Sequence, residues 1–211
     1  MDKDIIEFTN FLKKNKFPLD LMEKFRIYHS VLSKKSQKLN LISKNSLDRI
    51  WPAHFLDSIL ICDEINFSNK TVLDFGTGAG FPGIPIKILY PTMQIFLLES
   101  VRKKALFLRY LLEKLDLQKS EVLNIRLENL GNQFINFFDF VLVRAVRMKY
   151  SYYKKCFDLL KRNGEIIIYQ SENFHNQVED FRKKYQNKNV RIISKYHPIK
   201  GMRKYIIIKN D

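Results

Sequence analysis

Apolar residues recur every three or four positions near the start of the chain. Ile5, Phe8 and Leu12 form one set, and Leu21, Phe25, Tyr28 and Leu32 a second, with charged residues between them. This spacing predicts two amphipathic helices. Phe17-Pro18 separates them, because proline disfavours helical backbone at the residue before it. A third helix is predicted from about Leu47 to Ile61. Residues 1–65 are therefore read as a helical N-terminal extension, packed on a second unit formed by residues 66–211.

From residue 70 the pattern changes to short β-rich runs that alternate with helical stretches. The predicted strands are Thr71–Phe75, Gln94–Glu99, Glu121–Ile125, Phe138–Val143, Glu165–Tyr169, Val190–Tyr196 and Tyr205–Lys209. Helices are predicted at Gly83–Leu89, Val101–Leu115, Tyr150–Leu160 and Asn173–Tyr185. Such alternation implies βαβ units and a mainly parallel sheet. The last two strands break the rule. Only His197 to Lys204 join them, and a parallel crossover needs about a dozen residues or more, so this pair is predicted to be antiparallel. The expected fold class is α/β and Rossmann-like: a mainly parallel seven-stranded sheet with an antiparallel last strand, preceded by N-terminal helices. That arrangement resembles the class I S-adenosylmethionine (SAM)-dependent methyltransferase fold. A plain dinucleotide-binding domain continues in parallel.

Composition narrows the class. No apolar run approaches the roughly 20 residues that span a bilayer. The start, Met1-Asp2-Lys3-Asp4, is charged and precedes no hydrophobic signal segment, so a soluble, cytoplasmic protein is expected. Cys62 and Cys156 lie far apart and form neither metal spacing nor a disulfide framework, and no metal site is expected. The formal net charge of +15 favours a polyanionic partner. A Lys-, Asn-, Ile- and Phe-rich composition of the kind an AT-biased coding sequence produces also accounts for part of that charge.

The stretch Val72 to Gly83 carries the chemistry. An apolar strand runs into Asp74, then a turn with Gly76, Gly78 and Gly80 at alternate positions, then a helix that Pro82 can start. Glycine has no Cβ, so the backbone turns sharply and its N–H groups approach a ligand closely. Gly78 to Gly83 also satisfies G-x-G-x-x-G, a weak signal alone. Asp74 two residues before Gly76 and Glu99 at the end of the next strand, where a carboxylate accepts ribose hydroxyls, point to an adenosyl cofactor. Both have structural readings as well. Asp74 can satisfy turn N–H groups, and Glu99 can pair with Lys103 or Lys104.

These residues resemble the bacterial 16S ribosomal RNA guanine-N7 methyltransferase family, RsmG/GidB. The resemblance covers nearly the whole chain. Asp74 to Pro85 matches its glycine motif with the Pro-Gly-Ile-Pro ending; Leu98-Glu99-Ser100, Arg126-Leu127-Glu128 and Arg144-Ala145 match later blocks; Asn40-Leu41 and His54-Phe55-Leu56-Asp57-Ser58 match the helical portion. Two departures stand out. Lys35 and Ser36 occupy positions where members commonly carry an aromatic residue and asparagine, and Gln170-Ser171 replaces a common Lys-Gly. The second removes the lysine that the resemblance would place at a substrate phosphate.

The resemblance implies SAM as cofactor. It implies that Gly76 and Phe81 border its methionine and adenosyl parts, that Glu99 holds the ribose, and that Leu127 and Glu128 frame the adenine. It implies that Arg144 faces the cofactor and the incoming base. The implied substrate is a guanine in the 530 loop of 16S rRNA, in the 30S subunit or an assembly intermediate, and loss of the activity is associated with low-level streptomycin resistance. No stable protein partner is implied. Lys34, Lys35, Lys200 and Arg203 are the expected phosphate contacts. The His54–Ser58 block is read either as packing or as substrate contact, and Trp51 as core. Two other functions stay open: a non-catalytic basic rRNA-binding protein, and an NAD-binding oxidoreductase.

Overall fold

The computed structural model describes residues 3–170 and 189–210. The predicted helix Asn173–Tyr185, the basic run Arg182–Lys184 and Ser171 lie outside the described residues. The chain order is α1 (Lys3–Lys14), α2 (Leu21–Leu39), α3 (Lys44–Asp48), α4 (Asp57–Ile59), β1 (Thr71–Phe75), α5 (Gly83–Leu89), β2 (Gln94–Leu98), α6 (Arg102–Lys114), β3 (Ser120–Leu123), β4 (Phe138–Arg144), α7 (Tyr150–Leu159), β5 (Leu160–Gln170), β6 (Val190–His197) and β7 (Gly201–Lys209).

The strands form one sheet in the order β3-β2-β1-β4-β5-β7-β6. Strands β1 to β5 run parallel, and β7 lies antiparallel between β5 and β6. The order reverses at β1, whose neighbours are β2 and β4, and open α/β sheets bind ligands in the crevice beyond such a point. The reversed β7 separates this sheet from the all-parallel dinucleotide-binding arrangement.

Side chains alternate between the two faces of the sheet. Leu73, Phe96, Val141, Ile166, Ile168 and Ile208 pack under α7 residues Tyr153, Cys156 and Leu159. Val72, Ile95, Leu97, Leu142, Ile167 and Ile207 face the other way, and their apolar cluster runs without interruption into Phe8, Leu12, Phe25, Tyr28 and Leu32 of α1 and α2. The helical extension therefore completes the core on one face. Phe25 is fully buried, 4.7 Å from the Phe8 ring and 5.2 Å from Phe55, both edge-on.

The predicted third helix is not continuous. After α3 the chain forms a π-helical turn over Trp51–Leu56, then α4, then a 3-10 turn over Leu60–Asp63. Pro52 sits at the start of the π turn and has no N–H to donate. The wide turn closes where Asp57 N donates to Pro52 O, five residues back. Contacts from the sheet then fix it: Tyr169 Oη donates to Ser58 O at 2.8 Å, and His197 Nε2 to Pro52 O at 2.8 Å.

The last hairpin is tighter than predicted, because β7 begins at Gly201, where φ is +65°, and pairs back to His197. His197 Nδ1 accepts from the N–H groups of Ile199 and Lys200. One buried imidazole thus closes the turn and ties it to the π turn. Phe25→Ala is expected to lower the unfolding free energy by about 3–5 kcal/mol in urea denaturation, the usual cost of deleting a buried phenyl ring.

Candidate active site

The turn after β1 is built from glycines that no other residue could replace without strain. Gly76, Gly78 and Gly80 have φ of +71°, +59° and +104°. A Cβ on Gly76 would lie 2.5 Å from Val146, and one on Gly80 would lie 2.6 Å from both Ile84 and the Tyr28 hydroxyl. Gly76 N and Thr77 N both donate to Leu98 O, which fastens the turn to the end of β2.

Two carboxylates hold this turn. Asp74 is fully buried, and its Oδ2 accepts from Thr77 Oγ1 at 2.7 Å and Gly83 N at 2.8 Å. Burial pushes its carboxyl up to about 6, against the opposing pull of those two donors. Glu99 Oε2 accepts from Gly78 N at 3.1 Å, and Oε1 from Val101 N at 2.8 Å. Among the described residues these backbone donors, rather than the alternative Lys103 or Lys104, are its partners.

A cleft opens where β1 and β2 end and the loop after β3 passes. Gly76, Glu99, Leu127 and Glu128 line it together. Ser100, Arg126 and Tyr152 line it too. Tyr152 packs edge-on against Phe75 at 5.2 Å, and nothing in the spacing of α7 marks it. Glu99 and Glu128 provide acceptors, with the apolar Phe75, Leu98, Ile125 and Leu127 between. A carboxylate has about four lone-pair sites, so Glu99 can accept ribose hydroxyls besides its N–H partners. The acceptor set fits an adenosyl group: Glu99 for hydroxyls, Glu128 for an exocyclic amine, and the apolar lining for a flat ring.

The other predicted residues sit elsewhere. Asp74 is buried beneath the turn, Gly80 is a buried member of it, and Gly78 is half-buried in it; none of the three lines the cleft. Phe81 does not line this cleft; it stacks between Tyr28 (5.3 Å, 13°) and His54 (4.7 Å, 29°), on the side of the turn that faces the extension. Tyr28 Oη also donates to Ala79 O at 2.7 Å.

Arg144 ends β4 and reaches into the π turn. Its Nη1 donates to Ser58 Oγ at 2.9 Å and its Nη2 to Ala53 O at 3.2 Å, with Asp57 Oδ2 at 3.0 Å and His54 Nδ1 at 3.3 Å from Nη2. Arginine only donates, so His54 Nδ1 is the acceptor and the imidazole proton is on Nε2. Burial, followed by the charges of Arg144 and Lys200, lowers His54 to about 3, so the ring is neutral.

Lys34 and Lys35 are exposed on α2, and Lys35 Nζ lies 5.5 Å over the Tyr110 ring. Lys200 and Arg203 differ from the open phosphate contacts expected of them. Both turn inward to Asp57, a fully buried carboxylate from another part of the chain, and the Arg203 side chain is only 11% exposed. Cys62 and Cys156 are buried thiols, and no group of metal-ligating side chains occurs among the described residues.

An aspartate whose folded-state carboxyl titrates near 6, above the usual value of about 4, takes up a proton on folding in that window. Its contribution to stability is largest below about pH 4 and is lost as pH rises towards 6 and above. Asp74→Asn keeps one side-chain acceptor and removes this titration. Urea denaturation from pH 4 to 7 should show the variant gaining on the native protein by on the order of 2–3 kcal/mol as pH rises. A pH-independent difference would mean that Asp74 titrates normally.

The comparisons with known proteins agree with this architecture. The family model described as rRNA small subunit methyltransferase G matches residues 21–204. A ribosomal RNA small subunit methyltransferase G from Mycoplasma capricolum is 35% identical over 186 residues, covering 87% of this chain and 80% of that one. One from Aster yellows witches'-broom phytoplasma is 36% identical, covering 86% and 87%. Among solved structures, a SAM-dependent methyltransferase from Aquifex aeolicus superposes with a TM-score of 0.59 at 15% identity, covering 74% of this chain and 92% of that one. A SAM-dependent O-methyltransferase from Thermotoga maritima gives 0.54 at 18%, covering 72% and 64%. The structures establish the shared fold, and with the family match spanning almost the whole chain, this protein belongs to the rRNA small subunit methyltransferase G family.

Proposed function

We propose that this protein transfers the methyl group of SAM to N7 of a guanine in the 530 loop of 16S rRNA, in the 30S subunit or an assembly intermediate. Methylation of small-subunit rRNA follows from the family; the atom and the loop are our reading. The observation that carries it is the cleft at the switch point of the sheet, with Glu99 and Glu128 at its rim, beside a turn of positive-φ glycines.

SAM, when bound, supplies a methyl group on a sulfonium, ready for in-line displacement. Guanine N7 offers a lone pair and carries no proton, so no general base is needed. The neutral His54 suits such a site. The chain's own task is position: N7 must lie about 3–3.5 Å from the methyl carbon, with water excluded. Gly76, Glu99, Leu127 and Glu128 would hold the adenosyl group, and Asp74, Gly78 and Gly80 would keep the turn in shape beneath it. Phe81 would bear on the cofactor indirectly, as the brace of that turn.

Alkylation makes the base more positive, so Arg144 cannot stabilise the product by charge. Its Nη groups are already engaged with Ser58, Ala53 and Asp57. The hydrogens left on Nε and Nη1 are those we assign to guanine O6 or a flanking phosphate. Lys34 and Lys35 would meet the RNA backbone along α2.

Radiolabelled SAM, incubated with small-subunit RNA or 30S particles from a strain lacking the modification, should label a 530-loop guanine that N7-specific cleavage releases. Cofactor binding without label on either substrate would favour a non-catalytic RNA-binding protein. Arg144→Lys should reduce turnover by roughly tenfold or more, since a lysine cannot reproduce the planar fork, while SAM affinity changes little. Equal losses of turnover and SAM affinity would make Arg144 chiefly a cofactor residue.

A further inference from the structure

Where the π turn meets the sheet edge, one buried carboxylate faces three cations. Asp57 is fully buried. Its Oδ2 lies 3.0 Å from Arg144 Nη2 and 3.1 Å from Lys200 Nζ, and its Oδ1 lies 2.8 Å from Arg203 Nε. His54 and His197 adjoin the group, and burial lowers the pKa of both, so neither adds charge at neutral pH. Burial pushes Asp57 up, but the three cations outweigh it and keep the carboxyl below its usual range. Asp57 is therefore ionised, and two positive charges remain unbalanced.

The excess faces outward. Lys200 Nζ contacts Ala53 O and Asp57, which leaves one of its three donors unused, and its side chain is 30% exposed. Arg203 lies behind it, 9% exposed, and adds its charge from within. Among the described residues, no atom lies within 4 Å of the place a Cβ on Gly201, beside Lys200, would take, so they leave room here for an approaching chain. On the inner side the cluster adjoins the glycine turn, because the Arg144 guanidinium lies 5.8 Å over the Phe81 ring.

We propose that this cluster is an anion subsite for one phosphodiester of the RNA, received at Lys200, with Asp57 as the positioning residue that holds Lys200 there and Arg203 as a buried charge behind it. The proposal rests on the reading that RNA is the substrate. A phosphate seated here has the glycine turn on its inner side, so its nucleoside can point towards the methyl-transfer site. The rival anion is the methionyl carboxylate of SAM, and the experiment separates the two.

An unmethylated small-subunit rRNA transcript serves as probe, and its affinity is measured across a salt series. Lys200→Gln should flatten the plot of log K against log salt by about 0.7–0.9, the contribution of one phosphate contact, while SAM affinity stays within about twofold. Asp57→Asn should weaken RNA binding roughly tenfold in the native background but less than about twofold in Lys200→Gln, because coupled residues are non-additive. Lys200 is partly exposed, so its variant keeps the proposal testable if Asp57→Asn does not fold. An unchanged slope overturns the subsite, and so does an equal cost of Asp57→Asn in both backgrounds, the mark of a purely structural role. Loss of SAM affinity with an unchanged slope would give the cluster to the cofactor. Native protein that binds the transcript with the Lys200-dependent slope but transfers no methyl group would sink the functional reading and leave the subsite standing. Methyl transfer with an unchanged slope would do the reverse.

Discussion

The Asp57 carboxylate is the constraint on which the catalytic edge depends. It binds three parts of the chain that share no local sequence: the π turn that carries it, Arg144 at the end of β4, and the β6–β7 hairpin with Lys200 and Arg203. A buried ion cluster is not a cheap source of stability, because desolvation of the charges offsets much of their attraction. Its effect is geometric. Without Asp57 three cations would face one another with no counter-charge, so the carboxylate holds its partners to one register. His197 on Pro52 O, Tyr169 on Ser58 O and Tyr205 on Asp57 O reinforce it with neutral contacts.

The glycine turn is shaped from two sides at once. From the sheet side, Asp74 and Glu99 accept its N–H groups and hydroxyl. From the extension, Tyr28 bonds Ala79 O and stacks on Phe81, whose other face carries His54. Neither side alone fixes both the backbone and its direction. The turn is thus set before any ligand arrives, which reduces the ordering cost that binding would otherwise carry. The helical extension has a direct part in this, so it is more than a cover for one face of the sheet.

How much of this was legible in the sequence depends on the range of the interaction concerned. Local periodicity located β1 at Thr71–Phe75 and α5 at Gly83–Leu89 to the residue, and the short last connection foretold the antiparallel β7. The same reasoning joined Leu47 to Ile61 into one helix, because apolar spacing does not register what Pro52 removes or what His197 supplies from a distant hairpin. Gly76, Glu99, Leu127 and Glu128 lie in one cleft, since each ends a strand or follows one on the same edge of the sheet. Phe81 did not join them. Its partners Tyr28 and His54 belong to the extension, and no spacing rule pairs them. Lys200 and Arg203 read as surface cations because a charge run cannot reveal a buried carboxylate from another element.

The ionisable groups around the site bear on the kind of nucleophile it can serve. Among the described residues, Asp74 is occupied by Thr77 and Gly83, Glu99 by Gly78 and Val101, and Asp57 by three cations. His54 is neutral, but its accepting nitrogen already faces Arg144. An acceptor atom that must first lose a proton, such as an alcohol or amine, needs a base with a free lone pair at the right place. Asp74 and Asp57 are committed to holding backbone or charge instead, whereas Glu99 keeps lone pairs for further donors. A ring nitrogen with an available lone pair makes no such demand and requires only placement and dryness. Under the N7 reading proposed above, Asp74, Asp57 and His54 would have only to hold the shape of the site, with no proton to take up.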